Sequence, residues 1–227
     1  MNRSAMPASP QQHPSPQQHQ RTKQRATGRF HAICVGAALA LTVTLTLGGC
    51  GQGATKPEAP LAGSSLGGPF TLVDKSGKTV HYADFAGKWR IVYFGYTFCP
   101  DICPLDLQHM MLGYHLFAKA HPQVAARVIP MFITIDPQRD TPPIVGQYAG
   151  AFGSELIGLT GTPAQIAAAA KAFAVFYQKR DGETPGAYLM DHSRAAYLMD
   201  PDGKPIALLP VDQDGKAVAA ELETWVQ

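Results

Sequence analysis

Two nearly uninterrupted apolar runs, Arg90 to Phe98 and Val128 to Ile135, constrain this chain more than any other feature. Neither alternates polar with apolar residues, so each reads as a strand buried on both faces of a sheet. A sheet covered on both faces needs helices, and the sequence supplies candidates. Pro104 suits a first helical position, where its missing N–H would be unpaired anyway. Leu105, Leu107, Met110, Met111, Tyr114, Leu116 and Phe117 then suit a helix packed on that sheet. Thr141-Pro142 reads as a cap and first turn of a helix to about Phe152. Thr162-Pro163-Ala164-Gln165 is a capping box opening an Ala-rich helix to about Tyr177.

Hairpin signals flank this core. Phe70–Val73 and Thr79–Tyr82 surround Asp74-Lys75-Ser76-Gly77-Lys78, with glycine in the turn. Ala195–Met199 and Pro205–Leu209 surround Asp200-Pro201-Asp202-Gly203-Lys204, and Lys216–Val226 closes as a helix. Strands alternating with helices, then a hairpin and a helix, predict an α/β domain with a central mixed sheet.

The N-terminal quarter follows other rules. Residues 1–30 are rich in Gln, Pro, Ser and His, with too little apolar content to offset chain entropy. Arg21, Lys23, Arg25 and Arg29 lead into an uncharged run of 18 residues, Ala32 to Gly49, which reads as an export signal. Its end, Leu47-Gly48-Gly49-Cys50, resembles a bacterial lipobox, in which Cys50 would be lipidated. An uncleaved membrane span is the alternative, since such a run just reaches across a bilayer. Residues 1–49 are therefore expected to be leader and signal, 50–67 a Gly/Ala/Pro/Ser tether, and 68–227 the folded domain. The domain is expected at a bacterial cell membrane, lipid-anchored or on one N-terminal span, facing the periplasm.

Removing the leader changes the charge argument. Five of the 19 Lys and Arg residues, and none of the 17 Asp and Glu, precede Cys50, so the remainder carries net −3. The basic isoelectric point of the whole chain belongs largely to the leader, which removes the case for nucleic-acid binding. Of the four cysteines, Cys34 lies in the signal and Cys50 at its end. Only Cys99 and Cys103 remain, too few for a structural disulfide framework.

That pair directly follows the first buried strand. If helix begins near Cys103, residues four apart share a face and both sulfurs can point one way. A helix N-terminus also favours the thiolate. Thiolates are ligands for soft metals such as Cu(I) or Zn(II), and they are equally the nucleophiles of disulfide exchange. Among eight histidines, His192 stands out in Asp191-His192-Ser193, on a loop expected to enter the strand Ala195–Met199. Met110, Met111, Trp89 and Trp225 read as packing residues. Asp106 reads as serving the first helical turn through the helix dipole. Asp136, Arg139 and Asp140 sit at a strand end, as a turn and cap or as support for a site. Tyr96, Phe98 and Ile102 form a candidate apolar rim for a partner.

Tyr93 to Pro104 resembles the signature of the Sco/SenC family. So do Asp136-Pro137-Gln138-Arg139-Asp140-Thr141-Pro142, Asp191-His192-Ser193 and Tyr197 to Gly203, in the family's order from about residue 66 to the C-terminus. The resemblance implies a thioredoxin-like fold with a central mixed sheet and an N-terminal β-hairpin extension. It implies a tethered domain that delivers copper to the copper-site subunit of cytochrome c oxidase during assembly. Cys99, Cys103 and His192 match the family's copper ligands, for one copper ion per chain, as Cu(I) and, with further donors, Cu(II). Asp136, Arg139 and Asp191 are candidates for supporting the ligands. Another periplasmic copper chaperone or a thiol reductant is an expected further partner. The rival reading is a thiol–disulfide oxidoreductase that cycles Cys99 and Cys103 and keeps oxidase copper-site cysteines reduced. A peroxidase using Cys99, or a binding domain with an inert pair, has less behind it.

Overall fold

A computed structural model describes residues 57–184 and 186–227. The signal, Cys34, Cys50 and the start of the tether lie outside the described residues. Strands β1 (Thr71–Val73) and β2 (Thr79–His81) pair antiparallel. Their turn is tied by Asp74, whose carboxylate accepts from the N–H groups of Ser76 and Lys78 at 2.8 and 3.1 Å. A short 3-10 turn, Tyr82–Phe85, leads to β3 (Trp89–Gly95). Next come α1 (Ile102–Ala120), α2 (Pro122–Ala125), β4 (Val128–Thr134), α3 (Pro142–Gly150), β5 (Ile157–Leu159) and α4 (Pro163–Ala172). The chain continues through β6 (Tyr177–Asp181), β7 (Tyr188–His192), β8 (Ala196–Met199) and β9 (Pro205–Leu209) to α5 (Gly215–Trp225).

The main sheet has the order β5-β4-β3-β8-β9. β3, β4 and β5 run parallel, while β8 is antiparallel to β3 and β9 to β8. This is the mixed, helix-flanked, thioredoxin-like sheet expected, with the β1–β2 hairpin before it. β3 lies at its centre with all seven residues buried, which is why its sequence shows no alternation. Ile91, Val92 and Phe94 are fully buried, each contributing about 1.5–3 kcal/mol relative to exposure. Arg90 is buried too. Its guanidinium donates to the carbonyls of Asp200 and Phe85 at 2.8 and 2.7 Å and lies over the Tyr82 ring.

Helices α1 and α5 meet at two glycines. A Cβ on Gly113 would sit 2.5 Å from Val218, and one on Gly215 would sit 2.6 Å from Leu112. The close approach therefore needs both residues bare. Met110, Met111, Trp89 and Trp225 are buried, as packing residues should be. Among the described residues, no helix is long and apolar enough to cross a membrane.

Several expected boundaries move. Helix α1 begins at Ile102, so Pro104 is its third residue and not its first. The N–H it lacks would still be among the four left unpaired at a helix start. Thr162 and Gln165 do form the reciprocal capping box. The helix they open, however, stops at Ala172 and not near Tyr177. It closes with Val175 N–H on the Ala170 carbonyl and Ala174 N–H on the Lys171 carbonyl, at 2.8 and 3.1 Å. That is a Schellman termination, with Ala174 at φ 52° where glycine is usual. The chain then forms a second hairpin that sequence periodicity missed, β6 paired with β7 outside the main sheet. None of its strand residues is buried, so no buried face imposes an alternation.

Candidate metal centre

The loop between β3 and α1 is held before any ligand is considered. Asp140, fully buried, accepts from Thr97 N–H at 3.0 Å and from the hydroxyls of Thr97 and Thr134, both at 2.5 Å. Burial pushes its carboxyl above the ordinary value, with the two threonines working against it. The loop then places Cys99 just ahead of α1, half-buried, and Cys103 in its first turn, fully buried. The backbone N–H of Cys103 donates to Cys99 Sγ at 3.4 Å. Room for the second sulfur comes from Gly95, whose Cβ, if present, would lie 3.0 Å from Cys103 Sγ.

His192 arrives from the other side. It is the last residue of β7, not part of a loop as expected. Its Nδ1 lies 2.8 Å from the Ser193 carbonyl oxygen, which can only accept. Nδ1 therefore carries the proton, and the Nε2 lone pair faces Cys103 Sγ at 3.1 Å. The rings of Tyr93 and Tyr96 stand edge-on to the imidazole, with centroids 6.4 and 6.0 Å away. The two sulfurs and one ring nitrogen all lie within 4.8 Å of one another, and this is the only such cluster among the described residues.

The two thiols are not equivalent. Hydrogen bonding from Cys103, with the backbone N–H groups of Asp101 and Cys103, holds the Cys99 thiol down at about 3, against its partial burial. Cys103 is pushed far above the thiol range by the adjacent Cys99 sulfur and by its own burial. The pair thus holds one thiolate and one proton. Cys99 faces a shallow cleft shared with Ile102, Leu189, His192 and Arg194. Two thiolates and a neutral imidazole would give a three-coordinate soft set, short of the further N or O donors that Cu(II) prefers.

The remaining sequence candidates lie around this centre. Asp136 accepts from Arg139 Nε at 2.5 Å and from the Tyr188 hydroxyl at 2.9 Å. The Arg139 guanidinium stacks on Tyr188 at 3.6 Å and lies 4.7 Å from the Phe98 ring centroid. It also donates to the Tyr188 carbonyl at 3.1 Å. Both residues therefore pin the first residue of the strand that ends in His192. Asp191 forms a two-pronged pair with Arg180, both exposed, and the backbone of Ser193 is what orients the imidazole. Tyr96 is buried, so the exposed apolar rim consists of Phe98, Ile102 and Leu189.

Asp106 corrects the sequence reading most. It is fully buried and binds Arg194 through two bonds, Nη2 to Oδ1 at 2.6 Å and Nε to Oδ2 at 3.1 Å. It also accepts from the Tyr93 hydroxyl at 2.9 Å. A carboxylate so occupied is not a free charge facing a helix end. Neither Tyr93 nor Arg194 was legible as a site residue, since one sits in an apolar strand and the other in a short connection.

Residues 58–227 match the SCO1/SenC family model. Protein SenC of Rhodobacter capsulatus is 44% identical over 140 residues, covering 62% of this chain and 61% of that protein. A mitochondrial SCO1 homologue of Arabidopsis thaliana is 42% identical over 146 residues, 64% of this chain and 42% of its own length. The chain thus spans less than two thirds of these relatives. The crystal structure of Arabidopsis thaliana ScoI with copper bound is similar at 37% identity and TM-score 0.64, covering 69% of this chain and 95% of that one. BsSco, a member of the Sco family of cytochrome c oxidase assembly proteins with a disulfide switch, shares the fold at 22% identity and TM-score 0.57, covering 74% of this chain and 96% of that one.

Proposed function

The chain belongs to the SCO1/SenC family, and from that premise we propose that it binds one copper ion as cargo and delivers it to cytochrome c oxidase during assembly. One observation carries this reading: Cys99 Sγ, Cys103 Sγ and His192 Nε2 converge within 4.8 Å from two separate elements. The donor set fits Cu(I), being soft, low in coordination number and half open to solvent. Bound copper would replace the Cys103 proton and be gripped by Cys99 and Cys103, with His192 as third ligand. The cleft leaves Cys99 accessible, so a partner's own thiolates can displace these ligands one at a time. The oxidase copper-site subunit is the proposed acceptor, and its surface would meet Phe98, Ile102 and Leu189.

The same asymmetric pair supports a second role. A low-pKa accessible thiolate beside a protonated buried thiol is the arrangement disulfide exchange uses. Cys99 would attack a partner disulfide and Cys103 would then resolve the mixed disulfide, leaving Cys99–Cys103 oxidised and the partner reduced. A thiol reductant must regenerate the pair, which copper binding also requires.

Tethering belongs to the proposal as well: residues 1–49 as leader and signal, Cys50 as a lipidated anchor, 50–67 as tether and 68–227 as the working domain at the periplasmic face. Mass analysis of the mature N-terminus checks it, since an unmodified Cys50 in a protein retaining residues 32–49 would indicate a membrane span instead. The cargo reading is tested by titrating Cu(I) against a competing chelator with the reduced full chain in mild detergent. One tightly held ion per chain is expected, and absence of tight binding would overturn it. Reduction of an oxidised oxidase copper-site fragment, measured without copper, tests the second role.

A further inference from the structure

We propose that Asp106 and Arg194 form a clasp that positions His192 over the cysteine pair, a role that rests on the metal-centre reading above. His192 ends a two-stranded hairpin that shares no ladder with the main sheet. Two-stranded hairpins are marginally stable alone, so something must hold this one. At the Tyr188 end, the tie is Arg139 and Asp136. At the His192 end, the tie to the cysteine-bearing helix is Arg194, two residues on, bound to Asp106 at 2.6 and 3.1 Å.

The placement is specific. Asp106 lies three residues after Cys103 on α1, so the clasp joins the two ligand-bearing elements within one helical turn of one sulfur and two residues of the imidazole. The buried carboxylate also accepts from Tyr93, whose ring abuts His192. One carboxylate thus fixes Tyr93 as well as Arg194. Among the described residues only Arg194 supplies a full charge to it, and the pair is two-pronged, which restricts orientation as well as distance. By contrast, the Arg180–Asp191 pair in the same hairpin is exposed and joins the hairpin only to itself. Arg194 is therefore a positioning residue, ordering the site before metal arrives.

The test uses the reduced full chain and three variants: Arg194→Ala, the neutral double Arg194→Gln/Asp106→Asn, and Arg180→Ala as the control. Two quantities are read, Cu(I) affinity against a chromophoric chelator and amide hydrogen exchange at residues 188–193 in metal-free protein. Arg194→Ala is expected to weaken copper about 10- to 100-fold, as loss of a ligand's supporting partner does. It should also speed exchange at 188–193 by at least roughly tenfold, whereas Arg180→Ala stays within about twofold in both readouts. If Arg194→Ala leaves Asp106 too poorly paired to fold, the double variant, with no buried charge, decides in its place. Exchange at 188–193 unchanged in the folded variant overturns the clasp, even if copper binding weakens. Failure of the wild type to bind copper overturns the cargo reading instead, and the exchange measurement still decides the clasp.

Discussion

Nε2 of His192 lies 3.1 Å from Sγ of Cys103, across 89 residues of sequence. The contact forms with the imidazole already in the tautomer a metal needs, because Nδ1–H donates to the Ser193 carbonyl oxygen and leaves the Nε2 lone pair toward the sulfur. The metal-free fold thus already presents the third ligand beside the cysteine pair.

Replacing the ligands separates their weights. Cys99→Ala and Cys103→Ala should each weaken Cu(I) binding by more than roughly 100-fold, beyond what loss of a supporting residue costs. His192→Ala should weaken it less than either, since two thiolates remain. Chelator competition measures all three, and tight binding retained in both cysteine variants would discard the site.

Acidity separates the thiols. With Cys99 held at about 3, iodoacetamide should alkylate it at pH 5, where an ordinary thiol near 8.5 is almost wholly protonated. Cys103 should resist throughout. The stability consequence has two signs. The lowered Cys99 value stabilises the fold above the unfolded thiol pKa, and that contribution is lost as pH falls toward 3. The raised Cys103 value stabilises below the unfolded pKa and is lost as pH climbs beyond it. Metal-free protein, compared with a Cys99→Ser/Cys103→Ser variant by urea unfolding, should therefore show its largest advantage near pH 8 to 9, close to the free thiol pKa. Equal alkylation of both cysteines would contradict this assignment.

Gly95→Ala puts a methyl 3.0 Å from Cys103 Sγ and 3.1 Å from Phe132 and Tyr93. The sulfur must shift by a few tenths of an ångström within a packed core. A stability loss of about 1–3 kcal/mol is expected, as for other overpacked sites, together with weaker Cu(I) binding. Unchanged affinity in a folded variant would mean that the sulfur's position is not critical.

Ala174→Gly should stabilise the protein by about 1 kcal/mol, because Ala174 sits at φ 52° and a Cβ is disfavoured there. For a chain this size that is a rise in melting temperature of roughly 2–4 °C. Copper binding should not change, and thermal unfolding measures both points when run with and without metal. A lowered melting temperature would show that flexibility in the unfolded chain outweighs the relieved strain.

The same residue explains why the end of α4 was hidden in the sequence. Helix α4 carries a start signal in Thr162 and Gln165, but at its end Ala174 stands where glycine would have marked a stop, so the Ala-rich pattern runs on without a visible break. Beyond it, Tyr177–Asp181 is mostly exposed, and β5, which precedes α4, is only three residues long. Neither offers a periodicity to read. Asp106 was misplaced for a related reason: an acid beside an expected helix start has a ready local explanation. Helix α1 instead begins at Ile102 and puts Asp106 past its first turn, paired with a residue 88 positions away.

What the sequence determined by itself was whatever depends on neighbouring residues: two strands buried on both faces, the helix starts at Thr141 and Thr162 (of which only Thr162 caps through its side chain), the two hairpins with Asp and Gly in their turns, and a thiol pair poised at a helix start. Its motif order also resembled a family in which His192 is a ligand, although spacing alone left that histidine one among eight. Only the tertiary structure brought His192 to Cys103, chose its tautomer and paired Asp106 with Arg194. Each of these depends on where β7 lies against α1. Local propensity carries no information about that placement, because it is set by packing and by buried charge pairing between elements far apart in the chain.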